Sequence, residues 1–127
     1  MTMHEIPRDR WPDYLDQFSR VHRDWPARVE TTIDTQPESR NAADLPLLGV
    51  TDERVGGREQ ITIMLGRMSN AHLSHTIEQP LKMRGAEWND GYSGLLEIES
   101  ADGARTTVQV GPPEQTLPPQ IITDGVL

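Results

Sequence analysis

The segment from Leu95 to Val110, LLEIESADGARTTVQV, has one self-consistent hairpin register, and that register commits the chain to an antiparallel sheet with a buried face. Leu96, Ile98 and Ser100 alternate with Glu97 and Glu99, while Ala104, Thr106, Val108 and Val110 alternate with Arg105, Thr107 and Gln109. This is the period of a half-buried strand. A three-residue Ala101-Asp102-Gly103 loop, with Gly103 in the left-handed position that closes a type I turn plus bulge, sets Leu96 opposite Val108, Ile98 opposite Thr106 and Glu99 opposite Arg105. A two-residue Asp102-Gly103 loop would pair Ile98 with Thr107 and put the apolar face of one strand against the polar face of the other.

The same grammar recurs upstream. Ala27 to Asp34 alternates Val29, Thr31 and Ile33 with Arg28, Glu30 and Thr32, which predicts a strand. Thr35 to Asp44 reads as polar connection. Gly56-Gly57 suits a two-residue primed turn joining Leu45–Arg54 to Glu59–Leu65. That register sets Val50 opposite Ile63, Leu48 opposite Leu65 and Arg54 opposite Glu59, with Asp52 facing Ile61 as an imperfection. After a Gly66–Ala71 connection, Leu73–Glu78 and Leu81–Arg84 read as one strand bent at Pro80, with Leu81 and Met83 buried. Trp88-Asn89-Asp90-Gly91-Tyr92 predicts a further turn. Extending its register opposes Arg84 to Leu96, so the phase must shift, and Gly85 or Gly94 as a β-bulge is the expected device.

One helix precedes these strands. Trp11, Leu15, Phe18, His22 and Trp25 form a stripe of period 3.6, with Asp13, Asp16, Gln17 and Arg20 off it. Asp9 is the expected N-cap, Pro12 falls in the tolerant first turn, and Pro26 is the expected stop. The predicted fold is therefore mainly β (α+β): an N-terminal helix packed on a small, strongly bent antiparallel sheet or partly closed barrel of about six strands. The 127 residues fit a single domain over 1–110 with a tail over 111–127, whose Pro112, Pro113, Pro118 and Pro119 exclude a regular period.

Composition closes off several functions. Twenty acidic residues against twelve basic ones give a net charge of −8, which disfavours phosphate backbones and anionic membranes. The chain lacks cysteine, so disulfides and thiolate chemistry are excluded. No apolar run approaches the length of a membrane span or resembles a secretory leader, which points to the cytoplasm. Lys82 is the single lysine beside many arginines, a bias that suits a GC-rich bacterial genome.

Ile6-Pro7-Arg8 with Trp11-Pro12, Phe18-Ser19-Arg20 with Trp25, Asp44-Leu45-Pro46-Leu47-Leu48-Gly49-Val50, and Glu97-Ile98-Glu99-Ser100-Ala101-Asp102-Gly103 occur in that order. Together they resemble a family of small bacterial proteins defined only as a domain of unknown function. The resemblance spans Ile6 to about Val110 and implies a single-domain bacterial protein. It carries no catalytic residue with it.

No catalytic set or cofactor motif is found. His72 and His75 are the only closely spaced histidines, yet three residues apart on a strand they fall on opposite faces, a poor start for a metal site or a small enzyme. Ser19, Ser74 and Ser93 lack the strand-turn-helix setting of a nucleophile. Trp88 and Tyr92, near a turn, are the candidate contact residues for a partner, with closure of a barrel end as the plainer role. The leading expectation is a non-catalytic interaction or accessory domain that binds a protein partner or self-associates. The alternatives are a metal-binding protein or enzyme built on His72 and His75, and an acidic mimic of nucleic acid. A homodimer or higher oligomer is expected because a bent sheet of short strands leaves edges to be covered.

Overall fold

The computed structural model describes residues 3–33, 36–68, 71–87 and 94–111. A short strand β1 (His4–Glu5) and a 3₁₀ turn (Arg8–Arg10) lead into α1 (Trp11–Val21). Seven strands follow: β2 (Pro26–Ile33), β3 (Gln36–Val55), β4 (Arg58–Met68), β5 (Ala71–Glu78), β6 (Pro80–Glu87), β7 (Gly94–Ser100) and β8 (Ala104–Val110). They form one eight-stranded antiparallel sheet in the order β1-β6-β7-β8-β2-β3-β4-β5. The expectation of a helix on a bent antiparallel sheet holds, with eight strands where about six were read.

The sheet turns over on itself at β3. Through Pro46 this strand pairs with β2, and from Leu47 onward it pairs with β4. The segment read as polar connection is thus the first half of β3. It has a partner on one side only, and an edge strand neither needs a buried stripe nor excludes a proline such as Pro37, so its sequence carries no alternation. The sheet does not close. Its two ends meet at a single corner, where Gln79 alone separates β5 from β6. Gln79 takes a left-handed φ of 53°; its N–H donates to Glu59 O (3.2 Å) and its carbonyl accepts from Ala101 N (3.0 Å).

Both hairpin registers read from the sequence are present. Leu96 faces Val108, Ile98 faces Thr106 and Glu99 faces Arg105, with Gly103 at φ 89°. Gly56 and Gly57 are both left-handed, and Arg54 faces Glu59, Asp52 faces Ile61 and Val50 faces Ile63. Leu48 is a correction: a bulge there puts Leu47 opposite Leu65 and buries Leu47 completely. β4 continues through Met68, beyond the expected end. Leu81 is a second correction, because an irregularity between Pro80 and Lys82 turns it into solvent while Met83 stays buried. Gly85 and Gly94 are not bulges: each sits in unbroken register, opposite Leu96 and Glu87. The turn read at 88–92 lies outside the described residues.

These two glycines make room for the helix. A Cβ on Gly85 would overlap the Tyr14 hydroxyl, and one on Gly94 would lie 3.1 Å from His22 Cε1 and 3.3 Å from Phe18 Cε2. Trp11 and Leu15 are 1% exposed and join Phe18 in a continuous core with Leu47, Val50, Ile61, Ile63, Leu65, Met83, Leu96, Ile98 and Val108. Indole Nε1 of Trp11 donates to Ile6 O (2.9 Å), which satisfies its one polar atom inside that core.

Asp9 is not the N-cap. The 3₁₀ turn precedes α1, Arg10 occupies the cap position, and Arg10 N donates to Pro7 O (2.9 Å), so the entering turn takes up early N–H groups that a side chain would otherwise serve. Nor does Pro26 stop the helix. His22 ends it, with backbone N and ring Nδ1 both donating to Phe18 O (3.1 and 2.9 Å). Asp24 reverses the chain at φ 68°, its N–H donating to Leu47 O (2.8 Å), and Pro26 begins β2.

One helical side chain does the work of a missing strand. Among the described residues, β3 beyond Pro46 has no strand on the side opposite β4. Ser19 Oγ accepts from Val50 N (2.8 Å) and lies 3.2 Å from Val50 O and 2.8 Å from Leu15 O, either of which can take its proton. Replacing Ser19 by Ala strands a Val50 N–H in a residue that is 2% exposed, and should cost about 1–3 kcal/mol in urea melts. Gly85→Ala should cost a similar ~1–3 kcal/mol by overpacking. The loss should be smaller in a Tyr14→Phe background, and strict additivity of the two changes would count against direct overlap.

Candidate functional site

The inner face of the sheet is aliphatic near the helix and turns polar at the opposite end. Thr31, His75, Ser100 and Thr106 occupy inward positions there, each in phase with buried Val29, Ile63 across the ladder, Ile98 and Val108. They border a cleft of about 310 Å³ that also includes Ile33, Ile77, Glu78 and Asp102. Thr31 Oγ1 lies 3.2 Å from Thr106 Oγ1 and 3.3 Å from His75 Nε2, so one hydroxyl links two strands of one layer to a third in the other. Ser100 Oγ donates to Asp102 Oδ1 (2.5 Å), and Ala104 N donates to the same oxygen (3.0 Å). Those two hydrogen bonds, the serine's first, hold the Asp102 carboxyl below the usual carboxylate range.

This arrangement can hydrogen-bond a polar group and has little reactive potential of its own. The Ser100 hydroxyl is committed to the β7–β8 turn, and Thr106 is 2% exposed. An acyl-transfer site needs a hydroxyl open to attack with a base aligned on it. Among the described residues no group of three or more His, Cys, Asp or Glu could hold a metal ion.

His75 is therefore placed at the cleft, whereas position 72 falls on the other face of β5, opposite Gly66. The side chain at position 72 lies outside the described residues. Trp88 and Tyr92 lie outside the described residues, as does the tail beyond Gly111.

A polar cluster that the sequence reading did not assemble sits at the other end of β3. Glu59 forms an ion pair with Arg8, whose guanidinium lies over the Trp11 ring at 4.4 Å from its centre. Asp52 faces the same carboxylate. Burial first, then a hydrogen bond with Glu59 and repulsion from it, pushes the Asp52 carboxyl up from 3.8 to about 6, against the opposing pull of Arg8 and Arg54. The imperfection of Asp52 opposite Ile61 was a visible signal of this. Arg8 was not, since it reaches the hairpin only through the tertiary fold. A groove of about 380 Å³ between α1 and β3, lined by Leu15, Ser19, Arg23, Leu48 and Asp52 among others, adjoins the cluster.

On the outer face of β6, β7 and β8 two arginines are paired with two glutamates. Arg84 Nη1 reaches Glu97 and Glu99 (both 2.8 Å), and Arg105 lies 3.7 and 3.5 Å from the same two carboxylates. The hydrogen bond from Arg84 is the main cause holding Glu99 below its ordinary value.

A family model described as a family of unknown function, DUF5335, matches residues 2–119. The chain belongs to the DUF5335 family. No curated protein and no solved structure matches it. The match covers the helix, all eight strands and both polar clusters of this DUF5335 member, so the resemblance carried by Ile6-Pro7 through Gly103 is that of the whole domain.

The raised Asp52 value fixes a sign. Folding holds this proton more tightly than the unfolded chain does, so the ionised form is the destabilising one. Its contribution is most favourable below 3.8, declines as pH rises through about 6, and is level above that. Asp52→Asn should therefore raise stability above about pH 7, by on the order of 1 kcal/mol given partial solvent access. The gain should vanish toward about pH 4. Chemical denaturation at the two pH values checks it, and an equal effect at both would show that Asp52 is not the titrating group.

Proposed function

We propose that this DUF5335 protein is a non-catalytic interaction domain of the bacterial cytoplasm, formed by residues 1–110, that recruits a protein strand along the outer edge of β5. The observation that carries this reading is the state of that edge. Among the described residues, β5 ends the strand order and pairs only with β4. Its Leu73, in phase with inward-facing Ile77 and opposite buried Leu65, is 53% exposed. An unpaired strand edge beside an uncovered apolar side chain is the setting in which strand addition occurs: main-chain hydrogen bonds supply affinity, and alternate side chains supply selectivity.

The balance of charge supports a protein partner over a basic nucleic-acid-binding one. Glu97 and Glu99 are neutralised by Arg84 and Arg105 and do not form the array of uncompensated carboxylates that a phosphate mimic needs. No helix among the described residues is long and apolar enough to cross a membrane.

Leu73→Glu should leave thermal stability within about 0.5 kcal/mol, since the side chain is largely exposed. It should abolish binding through β5. Affinity capture from a bacterial lysate with both proteins tests this: a partner held by the wild type and lost with the variant supports the reading. A partner retained equally by both places the contact elsewhere.

A further inference from the structure

We propose that the partner strand is β5 of a second copy, paired antiparallel about a two-fold axis at His75; the inference rests on the interaction reading and names its occupant. A two-fold contact is self-complementary, so each residue must suit the residue reflected through the axis. Centred on His75, the pairing sets Leu73 opposite Ile77 on the inner face and Ser74 opposite Thr76 on the outer face. By register it sets position 72, a histidine, opposite position 78, a glutamate. Apolar meets apolar, and hydroxyl meets hydroxyl.

Other axes fail on the same criteria. An axis between two residues would pair inward positions with outward ones and reverse the faces of the sheet across the junction. Centring on Ser74 sets Leu73 against His75. Centring on Thr76 sets Ser74 against Glu78 and Leu73 against Gln79, whose N–H is already committed to Glu59 O at the corner. The His75 axis uses positions 72–78 and stops short of that corner. Because it pairs odd positions with odd and even with even, it aligns whichever alternate set of N–H and C=O groups points away from β4. The half-exposed Leu73 of each copy is then covered next to Ile77 of the other.

The absence of native cysteine makes a direct test clean. Ser74→Cys and Thr76→Cys chains, each oxidised alone and then mixed, should form the mixed disulfide several-fold faster than either forms its own, because 74 faces 76 of the other copy. Light scattering should give a dimer for the wild-type chain and a monomer for Leu73→Glu that still unfolds in one cooperative transition, with only the wild-type melt rising with protein concentration. A dimer that survives Leu73→Glu, or oxidation with no preference for the mixed product, overturns the proposal. A monomer at every concentration also overturns it. If that monomer still captures a partner lost on Leu73→Glu, the interaction reading stands without the self-pairing; if capture is indifferent to Leu73, both fall.

Discussion

At Val50 the sheet exchanges a strand for a helix, and the rest of the architecture depends on that exchange. β3 parts from β2 after Pro46, so its second half has β4 on one side and a row of main-chain groups with no strand on the other. Left in a buried setting, such groups cost about 1–3 kcal/mol each. The Ser19 hydroxyl meets the N–H and lies against the C=O of Val50, which fixes the axial position of α1. Once that position is set, Leu15 and Phe18 enter the core, Tyr14 lies over Gly85, and the Phe18 and His22 rings lie over Gly94. The two glycines are consequences of helix placement and have ordinary strand register.

The opposite end of the sheet is held by backbone and not by a packed helix. Gln79 ties β5 to β6 as the single residue between them, while its N–H and C=O bind the start of β4 and the β7–β8 turn. A left-handed φ in a residue with a Cβ is unfavourable by itself. Two main-chain hydrogen bonds at the one point where the ends of the sheet meet offset that cost. Among the described residues no helix packs on this side, and the inward positions Thr31, His75, Ser100 and Thr106 border an open cleft with their polar atoms hydrogen-bonded to one another or to the β7–β8 turn, where the other end has Val29, Ile63 and Val108.

What was legible in the sequence followed from local physics. The Leu95–Val110 and Gly56-Gly57 registers are dictated by alternation plus turn residues, and both occur residue for residue apart from the slip at Leu48. The first half of β3 was illegible because an edge strand has no stripe to read. The helix end was misplaced because Pro26 is a conspicuous breaker, whereas the real stop is the His22–Asp24 reversal bonded to Leu47, far along the chain. The same distance in sequence hid the union of Arg8 with Glu59 and of Thr31 with His75. Periodicity reports which face of an element is buried and is silent on which elements that face will meet.

Edge management separates β5 from the other strands left with an open side. β6 is screened by β1, through pairing of His4 and Glu5 with Gly85 and Arg84 and donation from Ile6 N to Met83 O (2.8 Å). The second half of β3 is screened by α1 through Ser19. The first half of β3 carries a polar, proline-containing sequence, itself a deterrent to further pairing. Among the described residues, β5 has none of these devices. It has no proline and no lysine, its apolar positions alternate regularly, and the most accessible of them, Leu73, sits well away from the Gln79 corner. Among the described residues the other open edges are screened by three different means and one regular strand is left uncovered, which suits the proposed strand addition at β5. That asymmetry, more than any side-chain constellation in the clefts, supports assembly over chemistry as the role of this domain.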